Sequence, residues 1–169
     1  AKIGAIALIH KHLYQGERLA TVDLHSYLER LMDEILESVG PVHPNVTTVC
    51  NLAPLRVSLD VAVPCGLIVN ELVGNAFKHA FPDGTAGTIT LELERSEEAF
   101  TLSVRDTGTG MRSRSQDAPE SATLGLSLVE ALAAQLGANI ESESNEGYSV
   151  ILTVPVSQNG ENESTNTNS

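Results

Sequence analysis

Tryptophan is absent from this chain of 169 residues, and only three Phe and three Tyr are present. Its core must therefore be built mainly from aliphatic side chains. Basic residues are scarce. Ten Lys+Arg stand against 22 Asp+Glu, a formal net charge of -12. Such a surface repels phosphate backbones and anionic lipid headgroups, which argues against nucleic acid or a membrane surface as partner. A polyanionic ligand would have to be held by backbone N–H groups, a metal ion and a few placed cations. Cysteine is limited to Cys50 and Cys65, both in apolar stretches. That reads as a reduced pair, too few and too far apart for a zinc site. No stretch reads as long and apolar enough to span a bilayer, and no signal peptide opens the chain. The first residue is Ala1 rather than Met, which reads as a processed or cut end.

What is present orders itself by periodicity. Ile3, Ile6, Ala7, Ile9, Leu13 and Tyr14 fall at helical spacing, ended by Gly16. A second helix is predicted from Asp23, as N-cap, to about Val39, with Leu24, Tyr27, Leu28, Leu31, Ile35 and Leu36 on its apolar face. Residues 46–52 read as a strand and 56–59 as a short extended piece. Asp60 is placed as the cap of a long helix to about Ala80, with Pro64 in its first turn. After the turn signal Phe81-Pro82-Asp83-Gly84, residues 88–95 and 100–105 alternate like hairpin strands. Residues 107–123 read as a mobile loop, 124–136 as a helix ended by Gly137, and 139–144 with 149–156 as a second hairpin. The polar tail from Ser157 reads as disordered. The expected fold is α+β, a two-layer α/β sandwich in which a mixed sheet of about five strands packs against about three helices.

Three constellations carry chemistry. In Asn70-Glu71-Leu72-Val73-Gly74-Asn75-Ala76-Phe77-Lys78-His79, Glu71 and Asn75 are four apart and share a helix face, with Lys78 and His79 a turn further on. This could be merely the solvated face of an amphipathic helix, but two Asn residues are poor choices for that purpose. Asp106-Thr107-Gly108-Thr109-Gly110 follows a strand. Its carboxylate can accept from an exocyclic amine, and its glycines let backbone approach a ligand. Taken alone it is also a common turn. In Thr123-Leu124-Gly125-Leu126-Ser127-Leu128-Val129 a loop meets a helix, and Gly125 is read as offering free N–H groups at the positive end.

In this order and spacing the three resemble the nucleotide-binding boxes of the Bergerat-fold ATPases and kinases. Over most of residues 5–156 the chain most resembles sensor histidine kinases of a subfamily close to the HWE group. The likeness is carried by residues 7–14 and 22–28, by 64–72 running on through 79–84, and by 124–126 running on to Gln135-Leu136-Gly137-Ala138. The resemblance implies a division into 1–22, the end of a second dimerisation helix and linker; 23–156, the ATP-binding catalytic domain; and 157–169, the tail. It implies that Asn75 ligates Mg²⁺ bridging the ATP phosphates, and that Glu71 serves as general base or water-orienting acid. Lys78 and His79 would contact phosphate or ribose. Asp106 would read the adenine amine while Gly108 and Gly110 admit the base. Residues 111–124 would form an ATP lid, with Leu124, Gly125 and Leu126 closing on the phosphates.

The implied activity is phosphotransfer from ATP to a histidine of a dimerisation domain, then to a response regulator, in a cytoplasmic domain of a homodimeric parent. Two positions depart from the family pattern: Thr107 stands where Asn is usual, and Thr123 where a glycine often stands. The family's phosphoacceptor motif has no match here. His10 and His12 fall on the expected second dimerisation helix, and His25 and His43 read as surface residues. The fragment is therefore expected to bind ATP without phosphorylating itself. Two alternatives stay open: an anti-sigma-type Ser/Thr kinase of the same fold, and a catalytically inactive ATP-binding module.

Overall fold

The computed structural model describes residues 21–82, 84–108 and 120–156, with backbone alone for 120–124. The expected helix at 3–14 with His10 and His12, most of the 1–22 segment, Gly110, most of the proposed lid and the tail from 157 lie outside the described residues.

A short strand β1 (Val22–Asp23) leads into helix α1 (Leu24–Val39). Asp23 caps it as expected. Its Oδ1 accepts the backbone N–H of Ser26 at 3.2 Å, and its Oδ2 accepts the Ser26 hydroxyl at 3.0 Å. Partial burial opposes ionisation, but these bonds win and hold the Asp23 carboxyl below the ordinary carboxylate range. Leu24, Tyr27, Leu28, Leu31, Met32 and Ile35 are buried along one face. A 3₁₀ turn at Gly40–Val42 ends the element. Strand β2 (Val46–Leu52) follows, and then β3 (Arg56–Val57), which pairs antiparallel with β1.

Helix α2 (Leu59–Asn75) starts after Ser58, two residues earlier than expected. Ser58 rather than Asp60 is the N-cap residue, so Pro64 falls in the second turn, where it removes one intrahelical bond. That bond would have ended on the carbonyl of Asp60, an exposed residue that water can reach, so the break is tolerated. The helix continues as one π-helical turn, Ala76–Ala80. Together Leu59–Ala80 make 22 residues, long and apolar enough by length and composition to cross a membrane, contrary to the sequence expectation. The apolarity has another cause here, since more than half of the stretch is buried between sheet and helices. Cys65 and Gly66 lie on its buried side. A Cβ on Gly66 would overlap the hydroxyl of Tyr27, so the glycine lets α1 and α2 approach around that ring. Of the two cysteines only Cys65 is buried; Cys50 on β2 is exposed, which corrects the apolar setting expected for it.

Strands β4 (Gly87–Arg95) and β5 (Ala99–Asp106) form the first hairpin, helix α3 spans Glu120–Gln135, and β6 (Asn139–Ser144) with β7 (Tyr148–Pro155) form the second. The larger sheet has the order β2-β4-β5-β7-β6. β2 runs parallel to β4, and the other pairs are antiparallel. Parallel pairing needs a crossover, and α2 supplies it. Ile89, Leu91, Leu93, Phe100, Leu102, Val104, Val150, Leu152 and Val154 alternate onto the helix-covered face and are buried. The opposite face carries Thr90, Glu92, Thr101, Ser103 and Thr153, at intermediate exposure. This is the expected two-layer sandwich, with five strands in the main sheet and three α-helices among the described residues.

Candidate functional site

The C-terminal half of α2 presents Glu71 and Asn75 on one ridge, both half-buried. The π-helical turn carries Lys78, exposed, and His79, partly buried. A π turn widens the helix locally and shifts the residues after it, and such turns recur at functional sites. α3 packs against this ridge. A Cβ built on Gly125 would sit 2.8 Å from Glu71 Oε2 and 3.2 Å from Asn75 Nδ2. Glycine there lets helix backbone rest directly on a carboxylate and an amide, so the first and third constellations meet.

Gly125 does not sit where its sequence context suggested. It is the sixth residue of α3, which begins at Glu120 rather than Leu124. Its N–H is thus inside the intrahelical ladder, and the free donors of the helix end belong to residues 120–123. Propensity explains the difference: Glu-Ser-Ala-Thr continues a helix readily, and no Gly or Pro separates it from Leu124. Leu126 is half-buried and faces the sheet, lining a small cavity of about 190 Å³ with Val129, Tyr148 and Val150. The side chain of Leu124 is not among those described.

The second constellation closes the other end. Asp106 is the last residue of β5 and only 3 % exposed. Its Oδ1 accepts the backbone N–H of Gly108 at 3.0 Å. A Cβ on Gly108 would overlap the carbonyl of Ala80, so this glycine lets the end of the α2 stretch touch the end of β5. Thr107, where the family pattern has Asn, is bonded to β4. Its Oγ1 accepts the Thr88 N–H at 2.9 Å, and its own N–H donates to the Thr88 carbonyl at 3.1 Å.

Two positions escaped the sequence reading. Gly147 has φ +133°, and a Cβ there would overlap the Asp106 carbonyl. Tyr148 pairs directly with Asp106 across β5 and β7, and both are buried. The Asn-Glu-Gly turn was a visible signal for Gly147. Tyr148 had none, because its neighbour depends on strand register.

The donor set suits a metal-bound nucleotide. A carboxylate, an amide and a lysine lie along the α2 stretch, bare helix backbone lies opposite, and a buried carboxylate with a glycine beside it lies at the strand end. The residues present would fit ATP, with a carboxylate able to accept from a base amine at one end and polar groups able to meet a metal and phosphate at the other.

Residues 60–158 match the model of the histidine kinase-, DNA gyrase B- and HSP90-like ATPase family, and residues 1–39 match a histidine kinase model. The chain belongs to that ATPase family, whose domain binds ATP. It is similar to the sensor histidine kinase PdtaS of Mycobacterium tuberculosis, at 30% identity over 94% of this chain and 32% of the relative. It is also similar to the blue-light-activated histidine kinase 2 of Erythrobacter litoralis, at 28% identity over 93% of this chain and 46% of that protein. The chain thus spans a third to a half of the length of these relatives. Among solved structures, the histidine kinase domain of the Erythrobacter litoralis blue-light-activated kinase EL346 superposes with TM-score 0.80, at 25% identity over 93% of this chain and 78% of that one. The catalytic domain of histidine kinase ThkA shares the fold, with TM-score 0.65 at 19% identity over 82% and 95% of the two chains.

Proposed function

We propose that this chain is the ATP-binding catalytic part of a sensor histidine kinase. Its parent passes the γ-phosphate of ATP to a histidine on a dimerisation domain, and from there to a response regulator. The observation that carries this is the seating of Gly125 on Glu71 and Asn75, with buried Asp106 held by Gly108 at the far end of the same helix stretch. The likeness of residues 1–39 to a histidine kinase model favours this reading over an anti-sigma-type Ser/Thr kinase.

In this reading Asp106 accepts the adenine amine and Gly108 and Gly110 leave room for the base. Asn75 ligates Mg²⁺, and Lys78 and His79 meet phosphate or ribose. Glu71 orients or deprotonates the attacking group, while Leu124 and Gly125 cover the phosphates; Leu126, turned to the sheet, holds the helix in place. Bound Mg²⁺ supplies charge neutralisation at the transferring phosphoryl group, as an acidic chain requires. Most of the remaining catalysis is positioning and fixed charge, which this chain's own residues provide. The parent is a homodimer and this domain works in the cytoplasm.

Titration of Mg-ATP against wild type, Asn75→Ala and Asp106→Ala tests the site. Both variants should bind at least tenfold more weakly, about 1.4 kcal/mol each. Wild-type affinity in both would refute the assignment. Incubated with radiolabelled ATP, the chain alone should acquire no acid-labile label, because the phosphoacceptor lies elsewhere.

A further inference from the structure

The two edges of the main sheet, β2 and β6, are not alike. An edge strand presents unpaired N–H and C=O groups that will take up another strand, and proteins blunt such edges with charged side chains, Pro or a bulge. β6 is blunted by Glu141 and Glu143, both exposed. β2 is not. Its seven residues, Val-Thr-Thr-Val-Cys-Asn-Leu, include no charged residue, no Pro and no Gly, and all of them pair with β4 without a bulge. Thr47, Val49, Cys50 and Asn51 are exposed.

The bonds at the two ends of β2 show which of its backbone groups face outward. The Asn45 carbonyl accepts the Gly87 N–H at 3.2 Å, and the Ala53 N–H donates to the Leu93 carbonyl at 2.9 Å. In a parallel ladder the N–H and C=O of one residue point the same way, and the direction alternates along the strand. Odd-numbered residues of β2 therefore turn to β4, and even-numbered ones turn outward. Val46 gives its N–H to the His43 carbonyl at 3.2 Å. Thr48, Cys50 and Leu52 follow, and among the described residues no backbone group takes up their outward N–H and C=O groups.

Charge narrows the occupant. Cys50 stands opposite Leu91, so its side chain lies on the helix-covered face. There it is near two exposed carboxylates of α1, Glu29 and Asp33. Neighbouring atoms shield the sulfur in part, and that shielding, together with the two negative charges, holds the thiol above its ordinary range. Glu29 also meets His25 Nε2 at 3.3 Å. A strand added outside β2 would run along this acidic rim, and its alternate side chains would all face it. A second copy of this chain is a poor occupant. Pairing β2 with β2 about a two-fold axis would set the Glu29 and Asp33 carboxylates of both copies along one seam, between chains of net charge -12. We infer that the outer edge of β2 is a docking site for an extended basic segment of a partner protein, which adds to the sheet through Thr48, Cys50 and Leu52 and sets Lys or Arg at alternate positions toward Glu29 and Asp33. Main-chain bonds hold the segment, and its cations select it. None of the proposed nucleotide residues lies on β2 or α1, so the site stands apart from the kinase reading.

The probe is a short synthetic peptide in which Lys alternates with Val and Thr. Titrated into isotope-labelled chain at neutral pH and low salt, it should shift the backbone amides of Thr48, Cys50 and Leu52 and slow their hydrogen exchange. Those of Val49 and Asn51, already turned to β4, should change little. A peptide of the same charge with Pro in place of Val and Thr should bind at least about tenfold more weakly, since it lacks alternate N–H donors. Cys50→Pro removes one outward N–H and no bond to β4, at a position where an edge strand tolerates Pro, and should weaken the Lys peptide about tenfold. If that variant loses its amide dispersion, Glu29→Gln with Asp33→Asn, on the exposed face of α1, decides instead. Severalfold weaker binding with a flatter salt dependence is expected there. No saturable shifts, protection without the two-residue period, equal binding of the Pro peptide, or wild-type affinity in the α1 double variant would overturn the inference. Protection of the same three amides in the concentrated chain alone would also overturn it, by assigning the edge to a second copy.

Discussion

Replacing Gly125 by Ala should separate stability from nucleotide binding. The residue lies inside α3, where Ala is favoured over Gly by about 1 kcal/mol. Against this stands the new methyl group, whose carbon would fall 2.8 Å from Glu71 Oε2 and 3.2 Å from Asn75 Nδ2. Both are the far ends of side chains, and a half-buried carboxylate can swing aside for about 0.5–1.5 kcal/mol of rotamer strain. The two effects nearly cancel, so urea unfolding of the free chain should give a stability within about 1 kcal/mol of wild type. Nucleotide binding does not share that compensation. The groups that must move are the two proposed for metal and phosphate, and the methyl occupies the space between the helices. Mg-ATP affinity, measured by calorimetric titration, should fall at least tenfold, about 1.4 kcal/mol. Unchanged ATP affinity in a protein whose Asn75→Ala variant binds poorly would refute the claim that the bare backbone at Gly125 matters to the site. A stability loss well beyond 2 kcal/mol would show that Glu71 and Asn75 cannot yield, and that the contact is structural.

Gly66→Ala should be destabilising despite its helical position, because the new methyl overlaps the hydroxyl of fully buried Tyr27; a net loss of about 1–3 kcal/mol is expected in urea unfolding. Burial pushes the Cys65 thiol up to about 12 from an ordinary value of 9.0, so the unfolded chain loses that proton first. Stability should be flat in this group below pH 9 and then fall by about 1.4 kcal/mol per pH unit until the folded thiol ionises. Cys65→Ala should flatten that alkaline limb, and an identical limb in the variant would contradict it. Asp23→Ala removes the α1 cap and should cost about 1 kcal/mol at neutral pH. Because the folded carboxyl is held below its ordinary value, that difference should shrink as the medium is acidified through the Asp23 titration.

The amino-acid sequence by itself determined the local elements. Asp23 followed by apolar residues at helical spacing specified α1, and strict alternation specified both hairpins nearly to the residue. Residues 46–52 were bounded as β2 by the turn residues around them. These are short-range preferences, set by backbone propensity and by which face of one element is apolar. The proposed nucleotide residues Glu71, Asn75, Asp106 and Gly125 were singled out by the resemblance of three short motifs, in order, to a family's boxes. The tertiary structure decided what depends on contacts distant in the chain. Parallel pairing of β2 with β4 and the strand order follow from how α2 crosses the sheet. The π turn at 76–80 and the second-turn position of Pro64 depend on how a buried helix is held by its neighbours. Register alone put Tyr148 opposite Asp106. Packing placed Gly125 against Glu71 and Asn75. Propensity and periodicity act within an element, and the contacts between two elements are set by neither alone.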